Sequence, residues 1–242
     1  IDHYTYVFAG DGCLMEGLSH EASSLAGHLN LSKLIVFFDD NSISIDGATN
    51  LSVSEDTLKR YSSYGWQTIK IDGHDYKEIS KAIKIAKKKN LPTLIACKTK
   101  IGFGSPNKES QSSSHGSPLG EDEIKLTREN LNWPYKKFEI PKELLKSWRE
   151  FYKRNKQVKN KWKSINNKLN LSEKYKIYFS GKLKNSLKIK LKKFKNKHLK
   201  EETNCASRKA SEFTLEILTN EMTNLIGGSA DLTGSNNTKT KN

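Results

Sequence analysis

Apolar and polar residues follow two different periods along the first hundred residues. Short runs that are rich in β-branched and aromatic residues indicate buried strands, whereas apolar residues at three- or four-residue steps indicate amphipathic helices. We predict strands at residues 3–8, 33–38, 66–71 and 92–97, and helices at residues 16–29, 54–64 and 76–90. Strands that alternate with helices through short links predict an α/β fold with a doubly wound, mostly parallel sheet.

The pattern changes after the fourth strand. Residues 102–120 are rich in Gly, Ser and Pro, and a loop of this length without structure of its own is usually functional or disordered. Two amphipathic helix patterns follow, with apolar stripes over residues 144–165 and 183–194. Beyond them we predict a helix at residues 206–222 and a strand at residues 225–230, which would open a second α/β domain.

The chain therefore divides into three parts, and its positive charge is confined to one of them. We predict the later part of an α/β domain at residues 1–135, a Lys-rich helical linker at 136–202 and the truncated beginning of a second α/β domain at 203–242. The formal net charge is +15, but residues 136–200 hold 23 Lys or Arg and only 4 acidic residues, so the remainder carries a net charge of −4.

Two interpretations of this basic segment are open. It is either a solvated, lysine-rich helix surface or a surface that binds phosphate groups. The first is favoured because Lys outnumbers Arg by 37 to 5. In addition, its aromatic residues fall in the apolar stripes, where packing occupies them, rather than among the lysines.

Composition and cysteine spacing argue against a membrane protein and a disulfide scaffold. The densest apolar run, residues 34–38, is far shorter than the roughly 20 residues that cross a bilayer as a helix. Cys13, Cys97 and Cys205 are scattered and odd in number, and they form no C-x-x-C metal motif. This pattern is typical of a protein in a reducing cytoplasm.

Polar motifs follow the first two predicted strands. Asp11 lies in Gly-Asp-Gly after the first strand, and Asn41 closes Asp-Asp-Asn after the second. In open parallel sheets, ligands bind beyond the carboxyl ends of the strands. One carboxylate and one amide oxygen suit Mg²⁺, and the glycines beside Asp11 let the backbone approach a phosphate. Together the motifs predict a magnesium and phosphate site, whereas Gly-Asp-Gly alone would indicate only a tight turn.

Gly-Asp-Gly followed after about thirty residues by Asn is similar to the signature of thiamine-diphosphate enzymes, and the surrounding segments resemble the transketolase family. Two of them read Gly-Asp-Gly-Cys-Leu-Met-Glu-Gly-Leu-Ser-His-Glu-Ala and Ser-His-Gly-Ser-Pro-Leu-Gly. The similar segments, in order, are residues 10–22, 39–47, 71–75, 98–108, 114–120, 206–211 and 227–232. They extend over nearly the whole chain, with the linker as the exception. The resemblance implies the thiamine-diphosphate-binding fold.

The same resemblance implies how the cofactor is held. Asp11, the side chain of Asn41 and the backbone carbonyl of Ile43 are expected to bind Mg²⁺, with Ca²⁺ or Mn²⁺ as substitutes. Gly12 is expected to contact the diphosphate of thiamine diphosphate through its backbone. Ile101 is expected to pack near the cofactor rings.

A second set of residues is expected to contact the sugar. His115 is the implied catalytic residue, placed over the cofactor and in contact with both diphosphate and sugar. Arg208 and Ser235 are expected to hold the sugar phosphate, although the run Gly-Ser-Asn-Asn-Thr departs from the family pattern, so a plain turn serine is the alternative for Ser235. Asp231 is expected near the cofactor and Glu16 near a dimer interface.

The implied activity is transfer of a two-carbon ketol group from a ketose phosphate, such as xylulose 5-phosphate, to an aldose phosphate, such as ribose 5-phosphate. The implied protein is a cytoplasmic homodimer of the pentose phosphate pathway, with an active site at the subunit interface and no membrane or nucleic-acid partner. The family's catalytic glutamate is expected beyond Asn242 and further binding residues before Ile1, so this chain alone is expected to be inactive.

Two alternatives stay open at this point. One is a related ketol transferase, such as dihydroxyacetone synthase, which would differ in its acceptor. The other is a non-catalytic protein whose basic linker binds RNA or another anionic surface.

Overall fold

A computed structural model describes residues 3–168 and 181–241 of the chain. Residues 1–2, 169–180 and 242, which include part of the predicted linker, lie outside the described residues. The strands are β1 (Thr5–Gly10), β2 (Leu34–Asp40), β3 (Ile43–Ser44), β4 (Gly47–Ala48), β5 (Gln67–Asp72) and β6 (Thr93–Lys98). The helices are α1 (Asp11–Met15), α2 (Gly17–His28), α3 (Thr57–Ser63), α4 (Tyr76–Ala86), α5 (Glu121–Asn130), α6 (Lys142–Lys168), α7 (Asn185–Lys200), α8 (Ser207–Glu221) and α9 (Thr233–Asn236).

The chain separates into two compact units, Ile1–Glu139 and Ile140–Asn242. The first contains a four-stranded parallel sheet with the order β1-β2-β6-β5. The predicted domain boundaries after residues 135 and 202 stay predictions.

Apolar side chains cover both faces of this sheet, as the fold prediction requires. On one face, Val36, Phe38, Leu94 and Ala96 pack with residues of α1, α2 and α3. On the other face, residues of β2, β5 and β6 pack against Ala82 and Ala86 of α4. Because neighbouring residues of a strand point to opposite faces, a continuous apolar run supplies both layers. The doubly wound, parallel α/β prediction is confirmed.

The sheet places the loops in register at one edge. Gly10 pairs with Asp39, and Asp40 pairs with Lys98, which also pairs with Asp72. All four strands run in the same direction, so their carboxyl ends and the polar residues that follow them lie along the same edge. This edge carries the candidate site.

The second unit, described by itself, is helical. Helices α7 and α8 contact each other, and Leu187 of α7 is 2% exposed. The His198 ring lies edge-on to Phe194 of α7, with the ring centroids 4.4 Å apart, and stacks on Phe213 of α8, with the centroids 5.6 Å apart. Ser186 donates a hydrogen bond of 2.7 Å to Glu221, which also pairs with Lys190.

Several predicted elements differ from the observed ones. The strand predicted at residues 225–230 is wrong, because these residues form coil that ends in a bend and Ile226 is 93% exposed. A strand needs a neighbouring strand for its backbone hydrogen bonds, and the described residues of this unit contain none. Gly227 and Gly228 offer no side chains to pack instead.

The helix boundaries in the first unit also shift. The helix predicted at residues 54–64 begins only at Thr57, because Asp56 caps α3. The Asp56 carboxylate accepts a hydrogen bond of 3.1 Å from the backbone N–H of Lys59. A short helix, α1, begins at Asp11 and ends at Met15, and Glu16 has an extended backbone before α2 begins. Helix α5 and the β3–β4 hairpin both lie in stretches for which no element was predicted.

Candidate functional site

The carboxyl ends of β1 and β2 bring Asp11 and the loop around Asn41 together. The backbone N–H groups of Ser42 and Asn41 lie near the Asp11 carboxylate. One oxygen of this carboxylate, Oδ2, is buried and has no hydrogen-bond partner. A buried carboxylate oxygen without a partner is costly. A bound cation would satisfy it, so the residues present fit the expected magnesium site.

The charges around Asp11 act in opposite directions on its protonation. Burial raises the pKa of the Asp11 carboxyl above its ordinary value, and the negative charge of Asp40 raises it further. The N–H donors of Ser42 and Asn41 and the positive charge of Lys98 lower it. A cation at Oδ2 would also lower the pKa of Asp11 and favour its ionised form.

A tight loop after β2 presents the other two expected ligands. The Asn41 side-chain oxygen accepts a hydrogen bond of 2.9 Å from the backbone N–H of Ile43, and its amide nitrogen lies 3.4 Å from Asp39 Oδ2. Ser42, between them, has a left-handed backbone with φ of 63°. This geometry folds the Asn41 side chain back over the loop and fixes which way its oxygen faces.

Loop residues after β6 line a cavity together with Asp11 and the loop around Asn41. Its volume is about 910 Å³, and its walls include all six residues that the family resemblance implies for cofactor and metal. These are Asp11, Gly12, Asn41, Ile43, Ile101 and His115. Residues separated by as many as 104 positions in sequence therefore meet around one space.

Two local features hold the Ile101 and His115 loops close together. Gly102 has φ of 64°, and a Cβ there would lie 3.0 to 3.3 Å from Ser114 and Lys108, so glycine is needed at this point. The Ser114 hydroxyl donates a hydrogen bond of 2.6 Å to the Lys108 carbonyl. His115 is the next residue, so this contact limits the movement of the segment that carries the histidine.

Glu123 of α5 lies outside the cavity and holds the loop after β6 through Ser105 and Asn107. Sequence reasoning missed this residue. Glu123 is 9% exposed and accepts hydrogen bonds from the Ser105 hydroxyl and from the backbone and side-chain N–H groups of Asn107, the last two at 2.9 Å. These donors lower the pKa of the Glu123 carboxyl. Its only signal in the sequence was an acidic residue within a short, weakly amphipathic helix.

Sequence reasoning also missed Lys98 and Thr99, which it included only as part of the similar segment 98–108 and to which it gave no role. The Lys98 ammonium lies 3.3 Å from Asp40 Oδ1 and 2.7 Å from the Ser42 hydroxyl oxygen. The Thr99 hydroxyl donates a hydrogen bond to Asp39. The available signal was that a lysine and a threonine follow a buried strand, but only the register between β2 and β6 shows which residues they meet.

The residues expected to hold the sugar phosphate lie in the second unit. Arg208 is in the first turn of α8 and Ser235 is in α9, and both are exposed. Asp231 is also exposed, just before α9. Glu16, expected near a dimer interface, lines the cavity that Asp11 and His115 share.

Three further observations concern metals, cysteines and membranes. Within residues 3–168 and 181–241, no group of three or more His, Cys, Asp or Glu side chains is arranged to hold a metal ion. The expected ligand set, with a single carboxylate, is not a group of this kind. Cys13, Cys97 and Cys205 are unpaired, and burial, with the charge of Asp39, raises the pKa of Cys97 to about 11. None of the described helices combines the length and apolar character needed to cross a membrane.

Known proteins resemble the chain in both sequence and structure. The family model for the transketolase thiamine diphosphate binding domain matches residues 1–187. The transketolase of Buchnera aphidicola from Acyrthosiphon pisum is 48% identical over 252 residues, covering 98% of this chain and 36% of the relative. The chain thus spans about a third of the length of the curated relatives it matches.

Solved structures of transketolases are also similar to the chain. A variant of the Pichia stipitis transketolase superposes with a TM-score of 0.81 at 40% identity, covering 99% of this chain and 36% of that one. Another structure of the Pichia stipitis enzyme, in complex with xylulose 5-phosphate, has a TM-score of 0.79 at 39% identity, with the same coverage.

Proposed function

Because this chain belongs to the transketolase family, we propose that the complete protein is a thiamine-diphosphate-dependent transketolase. It transfers a two-carbon ketol group from xylulose 5-phosphate to ribose 5-phosphate in the pentose phosphate pathway. The related enzyme of Pichia stipitis has been solved with xylulose 5-phosphate, which supports a ketose phosphate as donor. The observation that carries the proposal is the meeting of Asp11, Asn41 and His115 around one cavity at the carboxyl edge of the sheet.

The metal is Mg²⁺, held by Asp11, the side-chain oxygen of Asn41 and the backbone carbonyl of Ile43. The unpartnered Oδ2 of Asp11 supports this assignment. Oxygen ligands of this kind suit Mg²⁺, which takes its remaining ligands from phosphate and water, and Ca²⁺ or Mn²⁺ would substitute. Gly12 contacts the diphosphate through its backbone, and the open space around this residue, with nothing within 4 Å of where its Cβ would be, leaves room for that group.

Bound thiamine diphosphate supplies the electron sink that makes carbon–carbon cleavage next to the donor carbonyl possible. The chain's own residues orient the reactants. Ile101 offers an apolar contact to the cofactor rings. His115 contacts the diphosphate and the sugar and moves protons at the sugar oxygens. Arg208 and Ser235 hold the sugar phosphate, the arginine through charge-assisted hydrogen bonds.

The complete protein works as a cytoplasmic homodimer in which two subunits share each active site. The exposure of Glu16 beside the cavity is consistent with a neighbouring subunit there. The unpaired cysteines support a reducing compartment.

The central test is Asn41→Ala in the complete protein. We expect Mg²⁺-dependent binding of thiamine diphosphate to weaken at least tenfold, because the variant loses one of few protein ligands. Quenching of tryptophan fluorescence during a cofactor titration measures the affinity. Asn90→Ala, at an exposed asparagine far along the chain from the motif, is the matched control. Unchanged cofactor affinity in Asn41→Ala would show that the metal ligands are misassigned.

The activity itself is tested with the same preparation. We expect turnover of xylulose 5-phosphate and ribose 5-phosphate that depends on both thiamine diphosphate and Mg²⁺. Preference for formaldehyde over ribose 5-phosphate as acceptor would instead identify a dihydroxyacetone synthase.

A further inference from the structure

Lys98 lies beside the loop that carries Asn41 and Ile43, although it does not line the cavity. Its ammonium is 3.3 Å from Asp40 Oδ1 and 2.7 Å from the Ser42 hydroxyl oxygen. Asp40 immediately precedes Asn41 and Ser42 immediately follows it. One side chain therefore holds both chain neighbours of an expected metal ligand.

A second contact from the same strand end strengthens this hold. The Thr99 hydroxyl donates to the Asp39 side chain, and the Thr99 backbone N–H donates to the Asp40 carbonyl at 3.2 Å. The Lys98 carbonyl in turn accepts a hydrogen bond of 2.8 Å from Gly73. The end of β6 is thus fixed on one side by the segment after β5 and fastens the end of β2 on the other.

The loop needs such support because its backbone is unusual. Ser42 has φ of 63°, a left-handed conformation that costs energy for any residue with a side chain. The contact from Lys98 falls on this residue. Ser42 also lies between Asn41 and Ile43 in the chain, so the residue that Lys98 contacts is joined directly to two expected metal ligands.

We propose that Lys98 is a positioning residue for the metal site: its ammonium bridges Asp40 and Ser42 and holds Asn41 and Ile43 in the geometry that binds the cation. The proposal rests on the proposed magnesium site. Lys98 acts through these neighbours and itself contacts neither metal nor cofactor.

The charge of Lys98 and its positioning role predict opposite changes in metal affinity when the side chain is removed, which makes the proposal testable. A positive charge near a cation site repels the cation, so removal of the charge alone would tighten metal binding. Loss of the bridge would loosen the loop and weaken metal binding, and removal of such outer contacts typically costs 10- to 100-fold in metal affinity. The lysine side chain is 51% exposed, so solvent screens the charge effect, and we expect the positioning effect to prevail.

The experiment measures Mn²⁺ affinity of the full-length protein by EPR, with thiamine diphosphate in excess and a protein-free blank. We expect Lys98→Met to weaken Mn²⁺ binding roughly tenfold or more, with little change in melting temperature, because exposed ion pairs contribute little to stability. Lys98→Arg, which keeps a donor and the charge, should recover part of the affinity. Lys125→Met is the matched control, since Lys125 pairs with Asp122 at 3.4 Å on an exposed helix surface.

Ser42→Ala provides a second variant that changes no charge and removes one arm of the bridge. We expect it to weaken Mn²⁺ binding several-fold, in the same direction as Lys98→Met, and it decides the question if Lys98→Met does not fold. Unchanged or tighter Mn²⁺ binding in Lys98→Met would overturn the proposal. If Lys98→Met does not fold, unchanged Mn²⁺ binding in Ser42→Ala would overturn the proposal instead.

Asn41→Ala in the same titration separates this inference from the proposed function. If Asn41→Ala weakens Mn²⁺ binding and Lys98→Met does not, only the role of Lys98 is wrong. If Asn41→Ala has no effect, the metal site itself is misassigned and the inference falls with it.

Discussion

The two units of this chain use their apolar residues in opposite ways. In the first, the large side chains of the central strands are buried, and Ile35, Leu94 and Ile95 are all 0% exposed. In the second, the apolar stripe of α6 faces outward, with Trp148 at 75% and Trp162 at 63% exposure. A similar amphipathic pattern therefore does not guarantee a core. A stripe is buried only where a second element supplies the opposite surface.

The units also differ in how their polar residues are used. In the first, acidic, amide and hydroxyl groups near the strand ends contact one another, as Asp39 does with Thr99 and Glu123 with Asn107. In the second, lysines mostly point into solvent around the helices. Chemistry needs fixed side chains, so the first unit is where we place the metal and cofactor.

The largest expected effect distinguishes the two uses of apolar residues. Ile95→Ala, in the central strand β6, should reduce the free energy of unfolding by about 2–5 kcal/mol, because it removes fully buried methyl groups and leaves a cavity. Ile165→Ala, at a residue 47% exposed in α6, should change it by no more than about 0.5 kcal/mol. Urea denaturation of both variants measures the difference. Equal losses would mean that the α6 stripe is covered in solution.

A smaller effect concerns the buried acid that anchors the loop of the first unit. The hydrogen bonds to Glu123 lower its pKa below the ordinary value of 4.5, so its stabilising contribution is complete above that pH and is lost as the pH falls through the folded-state pKa. We expect the melting temperature of the wild-type protein to fall on acidification below about pH 5 more steeply than that of Glu123→Gln, whose amide does not titrate there.

Glu129→Gln, an exposed acid on the same helix, is the control for that measurement. Its pH profile should follow the wild type. Parallel profiles for Glu123→Gln and wild type would show that the loop anchor does not depend on the charge of Glu123.

The smallest expected effect tests the basic helices. If their lysines form only a solvated surface, the chain should bind RNA weakly or not at all near physiological salt. Fluorescence anisotropy with a labelled oligonucleotide at 50 and 200 mM salt measures this. A true phosphate-binding surface would instead show affinity that falls by several powers of ten over that range, and such a result would support the RNA-binding alternative.

Much of the first unit was predictable because its signals are local. Continuous apolar runs flanked by polar turns located all four strands of the parallel sheet to within two residues, and three-to-four spacing located α2 and α4. The rule that loops at the carboxyl ends of parallel strands lie together then brought Asp11 and Asn41 to one edge. The resemblance to a known family added Ile43, Ile101 and His115, which line the same cavity.

Two predictions failed because the sequence shows which residue types are present but not which contacts they make in the folded chain. Residues 225–230 begin with the apolar pair Leu225 and Ile226, which favours a strand. Gly227 and Gly228 weaken a strand, and the described residues of the second unit offer no neighbouring strand for its hydrogen bonds. Ser54 and Asp56 are both acceptable caps, and the folded backbone selects Asp56.

The amino-acid sequence by itself determined the α/β class, the two motifs of the site and the family, because hydrophobic period and motif spacing are properties of neighbouring residues. Only the tertiary structure decided that β6 lies beside β2, that Lys98 meets Asp40 and Ser42, and that Glu123 meets Asn107. Strand order and register depend on how both faces of the sheet pack against helices far away in sequence. For that reason the expected metal ligands could be predicted from the sequence, whereas the residues that hold them in place could not.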